Sequence, residues 1–418
     1  MTGEAGLFGR RTGLISLLAA EAISMFGSRI AGFAVSWLVL LTTGDPVKMG
    51  MIATSAVLPY VLSAAFGTPL IDRLGARRLT IGADVLSGLL VGAIALVYRD
   101  SFPLLIAVVA IAGASSGLGD HARRVVLTAQ VKYSGVETTR ATSLYDGIAR
   151  LSTLIGAPLG GVVIAWVGGV EAILINAASF VVCALITLFL VPTPAGSIAE
   201  ARPVKEPYFT ALRGGFVFVW QDKLILAVLS MLFVTNMCNQ AHNLFIPLWI
   251  KEVLNSPIGL GTIPGAFALG AVIGNVVMTA LAAKVPRYVT LVVCYLIGGA
   301  PRFLVLGLSD QLAVVLSVTF LTGLLMSSVN PIIGAMLMER TPDGMQARVF
   351  GLSTAVAWGG IPLGSMLGAF LAGQAGIAVA ATITGIVYFG ATLTPVFGAK
   401  TWRKLDRDKT SPEPSPVG

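Results

Sequence analysis

The feature that most constrains this chain is a repeated apolar block. Runs of about 20–30 mostly hydrophobic residues recur along its 418 positions. A helix of that length crosses a hydrocarbon core of roughly 30 Å with every backbone polar group satisfied internally. The runs fall at 13–42, 49–70, 79–98, 102–119, 139–167, 171–191, 224–250, 258–283, 288–307, 311–338, 349–373 and 376–399. Only 11% of residues are charged, against roughly 25% in an average soluble domain. A water-facing surface cannot be built from so few charges. The sequence therefore predicts an all-α membrane protein with twelve transmembrane helices.

The net charge of +8 suggests nucleic acid until the positions of the charges are read. Most Lys and Arg residues sit at the N-terminus, in alternate loops and in the tail. Examples are Arg10 and Arg11, Arg77 and Arg78, Arg123 and Arg124, Arg202 and Lys205, Lys284 and Arg287, and Arg403 and Lys404. The intervening loops carry only Lys48, Arg99 and Lys251. That alternation follows the positive-inside rule. It predicts a multi-pass protein of the cell membrane with both termini cytoplasmic, the lipid bilayer as its surroundings and no nucleic-acid partner. The run after Arg10–Arg11 is too long and too charged for a cleaved signal, so it reads as the first helix. Cys183, Cys238 and Cys294 lie singly in apolar runs and match no metal or disulfide spacing. No metal or other cofactor is expected.

A polar stretch at 192–222, with prolines at 192, 194, 203 and 207, separates six runs from six. This divides the chain into a six-helix bundle at 1–191, a cytoplasmic linker at 192–222, a second bundle at 223–400 and a tail at 401–418. Within the linker, 208–222 is amphipathic and predicts a segment lying on the membrane surface. The halves share weak internal similarity. The stretch Ala157–Gly161 in the fifth run matches Ile361–Ser365 in the eleventh, and the ends of the first and seventh runs also correspond. A parallel repeat of two bundles suits a transporter whose substrate site lies between them near the midplane. Glycine stripes on the fifth run (Gly147, Gly156, Gly160, Gly161) and the eleventh (Gly360, Gly364, Gly368, Gly373) allow close helix approach. They fit either plain packing or helices that slide.

Between the second and third runs, residues 67–78 read GTPLIDRLGARR. This resembles the signature loop of the major facilitator superfamily, Gly-x-x-x-Asp-Arg-x-Gly-Arg-Arg. Asp72, Arg73, Gly75 and Arg77 match. Thr68 stands in register with the leading glycine, and Ala76 replaces a basic residue. Residues 140–161, the linker at 212–216, and 341–351 resemble the branch that holds enterobactin-type siderophore exporters and macrolide efflux proteins. The resemblance implies two pseudo-symmetric six-helix bundles, a gate formed by Asp72 and Arg73 with Asp120 as an extra partner, and export by proton antiport. It also implies a fifth-helix packing motif at Gly156, Pro158, Gly160 and Gly161, with the proline displaced by one. The sequence departs from the pattern in having no arginine between Arg99 and Arg123, so the fourth-helix arginine of many drug antiporters is expected to be missing. His121 stands where the branch commonly has proline.

Ionisable groups inside a bilayer cost at least ~2.5–3.5 kcal/mol each and so need a partner, a cavity or a function. Glu21 and Arg29 share the first run about 12 Å apart along the axis. Two readings stand: both line a central cavity, with Glu21 the first proton carrier, or they form structural ion pairs. Asp146 and Arg150 are spaced to pair along the fifth helix. Asp84 lies close enough to the signature loop to serve as a gate carboxylate. Arg302 is expected to snorkel toward Asp310. The seventh run concentrates Asn236, Asn239, Gln240, His242 and Asn243 within eight residues, more than interhelical hydrogen bonding requires, so these are expected to line the cavity.

These features predict a monomeric secondary transporter, not an enzyme, that uses a proton gradient to export a small amphipathic molecule such as a drug, antibiotic or siderophore. Import or uniport of a metabolite is the rival within transport, and a non-transporting sensor or scaffold the rival outside it. No glycine precedes a lysine anywhere, which removes a Gly-Lys-Ser/Thr phosphate loop and with it an ATP-driven pump.

Overall fold

The structure is a computed structural model. It describes residues 2–66, 70–71, 74–136, 138–192, 216–255, 259–281, 285–342 and 346–406. Local chemistry sets many helix ends. Gly44, left-handed at φ 65°, stops the first helix, and its N–H donates to the Leu40 carbonyl at 3.0 Å. The Asp45 carboxylate then accepts from the Val47 N–H at 2.8 Å and starts the second. Ser101 caps the fourth helix ahead of Pro103, and Asp222 caps the seventh by accepting from the amides of Leu224 and Ile225.

Ten stretches of described residues are long and apolar enough to cross a membrane. One of them, Leu352–Phe397, contains a break at Gly376 (φ 77°, ψ 168°) and therefore makes two spans. The helix Pro46–Phe66 adds another. The twelve are α1 (Arg11–Thr43), α2 (Pro46–Phe66), α3 (Ala76–Val97), α4 (Phe102–Ser134), α5 (Thr138–Trp166), α6 (Gly169–Leu190), α7 (Lys223–Leu254), α8 (Gly259–Leu281), α9 (Arg287–Leu308), α10 (Leu312–Arg340), α11 (346–375) and α12 (377–392). Residues 216–221 form a short helix before α7, with Phe216 stacked on Trp220 and both exposed. Most of the 192–222 linker lies outside the described residues.

Helix pairing repeats between the halves. In the first half α1 packs on α5 and α6, α2 on α4, and α3 on α6; in the second, α7 packs on the α11–α12 run, α8 on α10, and α9 on that run again. The main contacts across the halves are α2 with α11 and α5 with α8. Adding six to each member of the first pair (α8 with α5 of the next turn of the repeat) generates the second, as a pseudo-twofold axis requires. Glycine makes the close approaches. A Cβ on Gly160 would overlap Ile30 of α1, and one on Gly364 would overlap the Met237 carbonyl of α7.

The halves do not meet equally at both ends. One apolar core gathers α1 from Ala34 onward, the start of α2 at Met49 and Ile52, α7 from Ala241 to Ile250, and Ala369 and Ala372 of α11. It joins both halves on the face away from the chain termini. On the terminus face the apolar clusters of described residues each belong to a single half. Among the described residues, then, an apolar core joins the bundles at the far face and none joins them at the terminus face.

Candidate functional site

Two sites emerge, one charged and one neutral. The charged site surrounds Arg123, which is only 4% exposed. α4 does not end at residue 119 as the hydropathy suggests; it continues to Ser134. Arg123 therefore lies inside a helix, and the expected lack of a fourth-helix arginine is corrected. Its Nη1 donates to Glu21 of α1 at 3.0 Å and to Asp120 at 3.5 Å, while Nη2 donates to Asp84 of α3 in a short contact. Glu21 and Asp84 are buried. The hydroxyl of Tyr145 on α5 donates to Glu21 at 3.1 Å, and that of Tyr60 on α2 donates to Asp120 at 2.9 Å. The Tyr60 ring stacks on Trp358 of α11 with 6.5 Å between centroids, so the site reaches the opposite half.

The three helices converge at matching depth. Glu21, Asp84 and Arg123 each lie about ten residues, or ~15 Å, from the terminus-face end of their helices. A buried guanidinium held by several carboxylates offsets their desolvation, which an isolated ion pair often fails to do.

The neutral site is a cavity of about 320 Å³ nearer the midplane and far face. Its polar lining comprises Ser28, Ser36, Ser116, Asn176, Gln240 and Asn243, set among Phe33, Val57, Val109, Phe180 and other apolar side chains. α1 is interrupted at Gly32–Phe33 beside it. Ser28 donates to the Asn176 amide oxygen at 3.4 Å.

Several sequence expectations change here. Glu21 is not in the cavity lining; it is bound to Arg123, as is Asp84, expected from the sequence to be a gate carboxylate. Arg29 is not in the lining either; it is exposed, with its stem against Gly156 of α5. The polar run of α7 divides by helical angle. Gln240 and Asn243 face the cavity, whereas Asn236 donates to the Ala357 carbonyl at 2.9 Å and Asn239 and His242 turn into the second bundle. Arg302 does not snorkel. It is 8% exposed, donates to Asn239 in a short contact, and lies against the faces of Phe303 (4.9 Å), Tyr388 (5.8 Å) and Phe267 (5.9 Å). His242 meets Phe303 edge-on at 5.0 Å. A π-helical turn, Cys294–Gly299, precedes this cluster, and Gly299 gives Tyr388 its place.

Of the signature loop, Asp72 and Arg73 lie outside the described residues, as do the side chains of Asp146 and Arg150. Gly75 has φ 83° with open space where a Cβ would stand, so its need for glycine is conformational. Arg77 caps α6 by donating to the carbonyls of Val191 (3.0 Å), Thr187 (3.2 Å) and Leu188 (2.6 Å). Gly156 and Gly160 pack on α1, Gly161 is buried, Gly147 meets open space, and Pro158 abuts Gly265 of α8.

Two helical bundles with a repeated pairing, a cavity beside their junction and a closed far face define a membrane transporter of the two-bundle type. The family model described as Major Facilitator Superfamily matches residues 17–257 and 228–417. The chain belongs to the Major Facilitator Superfamily. It is 28% identical over 370 residues to the multidrug efflux pump Tap of Mycobacterium tuberculosis (strain ATCC 25618 / H37Rv), spanning 86% of this chain and 87% of that protein. It is 24% identical over 377 residues to the multidrug efflux pump Tap of Mycolicibacterium fortuitum, spanning 88% and 91%. The 3-(3-hydroxy-phenyl)propionate transporter of Escherichia coli (strain K12) is 26% identical over 356 residues, spanning 82% and 81%. The crystal structure of nucleoside transporter NupG superposes with a TM-score of 0.69 at 12% identity, covering 94% of this chain and 99% of that one; this likeness concerns fold alone. The chain is thus a multi-pass membrane transporter of small molecules, and these relatives are transporters rather than enzymes.

Proposed function

We propose that this protein exports a small amphipathic molecule by proton-coupled alternating access. The observation that carries the coupling is the surplus of acid around Arg123: three carboxylates face one guanidinium. With every acid ionised the three carboxylates would outnumber Arg123 by two, with the exposed Arg124 the next cation nearby. That state is costly in a low-dielectric setting, so a bound proton belongs to one resting state of the cycle. Losing or gaining it alters how α1, α3 and α4 are held together. Tyr60 relays the change through Asp120 to Trp358 on α11, across the α2–α11 junction.

The termini are assigned to the cytoplasm on the positive-inside pattern, so the separately packed face opens inward and the joint core seals the outside. The halves 1–191 and 223–400 rock about the 192–222 linker as a monomer. Asp72 and Arg73, with Gly75, Arg77 and Asp120, form the inner gate. The efflux direction is favoured by the Tap relatives. Import is the second reading; the E. coli relative is named a transporter, and its name gives no direction.

The test is ΔpH-driven flux in proteoliposomes of known orientation. Glu21→Gln is expected to lower proton-driven flux at least tenfold while leaving downhill exchange. Undiminished driven flux would remove Glu21 from coupling, and flux only toward the terminus face would establish import.

A further inference from the structure

We infer that the cavity accepts an uncharged, hydrogen-bonding amphipath and rejects fixed cations. This deepens the transporter reading and rests on it. Among the described residues, none that lines the cavity is ionisable; its polar groups there are three hydroxyls and three carboxamides. The volume of about 320 Å³ sits at the lower end of small-ligand pockets.

The nearest acids among the described residues cannot serve the cavity without dismantling the charged site. Glu21 precedes Ser28 by seven residues and Asp84 precedes Val91 by seven, so each lies about 10 Å further along its helix toward the terminus face. Both are bound to Arg123. Asp120 is one turn from Ser116, and its two oxygens accept from Tyr60 and Arg123. A cation in the cavity would lose its hydration and gain no counter-charge, which is strongly unfavourable. A neutral ligand loses little and finds donors and acceptors of both kinds. Serine hydroxyls and carboxamides can each donate or accept, which suits ligands varied in detail but alike in having no charge. Most of the lining comes from the first half, and α7 alone represents the second. The ligand therefore rides on the half that also carries the charged cluster, without touching it.

Nile red and ethidium make a direct probe pair: fused-ring dyes of similar size, one neutral and one a fixed cation. Equilibrium binding to the full-length protein in nanodiscs, with protein-free nanodiscs subtracted, is expected to show saturable Nile red binding and ethidium binding about tenfold weaker or worse. Asn243→Asp, which places a carboxylate in the lining, is expected to narrow that ratio several-fold, and Gln240→Glu to do the same from the next turn. Ethidium binding equal to or tighter than Nile red in the unmodified protein would overturn the inference. So would absence of saturable Nile red binding, or an unchanged ratio in both variants. Binding needs no proton gradient. Retained dye selectivity with failed ΔpH-driven flux would break the export reading alone, and the converse would break this one alone.

Discussion

Among the described residues each half of the molecule buries one arginine, and the two environments are opposite. Arg123 in the first half meets three carboxylates contributed by α1, α3 and α4. Arg302 in the second has one amide, three aromatic faces and, among the described residues, no carboxylate partner. The backbone repeat is close: helix pairing corresponds, and glycines on α5 and α11 seat α1 and α7 in the same manner. Symmetry of the fold thus does not extend to charge. On the proposed mechanism both halves rock and the carboxylate-rich half carries the proton, whereas Arg302 has only aromatic and amide partners among the described residues.

The largest effect that separates the two is on stability. Arg123→Met leaves three partnered acids without their cation and is expected to cost ~3–5 kcal/mol, read as a lower thermal midpoint in detergent. The loss should shrink as pH falls, because protonation removes the uncompensated negative charges. Arg302→Met removes a buried cation that has no counter-charge among the described residues and is expected to be neutral or stabilising. Equal losses at both sites would erase the distinction.

Where the halves are alike, substitutions should act alike. Gly160→Val and Gly364→Val each drive a side chain into a neighbouring helix and are expected to cost ~1–3 kcal/mol. Gly147→Ala, which meets open space, should be tolerated. A large asymmetry between the two valine variants would show that packing, as well as charge, differs between the halves.

The smallest contrast concerns two tyrosines. Tyr145→Phe deletes a hydrogen bond to Glu21 and is expected to cost about 1 kcal/mol. The buried hydroxyl of Tyr388 has no partner among the described residues, so Tyr388→Phe should cost nothing in the same melting experiment. A loss at Tyr388 as large as that at Tyr145 would point to a bound water.

Much of the fold could be read from sequence. Block length and loop charge yield twelve spans in two sets of six, since the bilayer imposes one period on every helix. Of the signature loop, Gly75 at positive φ and Arg77 capping α6 fall within the described residues, and neither role is written in the motif itself. The site was less legible. Hydropathy ended α4 at 119 because Asp120, Arg123 and Arg124 cluster there, yet Asp120 and Arg123 are spaced i, i+3 and apolar residues resume at Val125. That pairing was the available signal. The partition of the α7 polar run was recoverable from helical angle, with 240, 243 and 247 on one face and 235, 239 and 242 on another. Which face meets a cavity depends on packing between distant helices, and no local pattern encodes it. For the same reason Tyr60, Tyr145, Ser116 and Asn176 escaped notice, since tyrosine, serine and asparagine in an apolar helix are individually unremarkable.

The decisive measurement is the distance between the two halves at the terminus face as a function of pH. Spin labels at Leu74 and Met338, both exposed near helix ends on that face, report it by electron–electron dipolar spectroscopy, and the three native cysteines are buried. If the Arg123 cluster is the proton switch, the unmodified protein will shift between a long and a short distance population as pH changes. In Glu21→Gln/Asp84→Asn the populations will be independent of pH. A pH-driven shift of undiminished size in that double variant would contradict the assignment of proton coupling to this cluster.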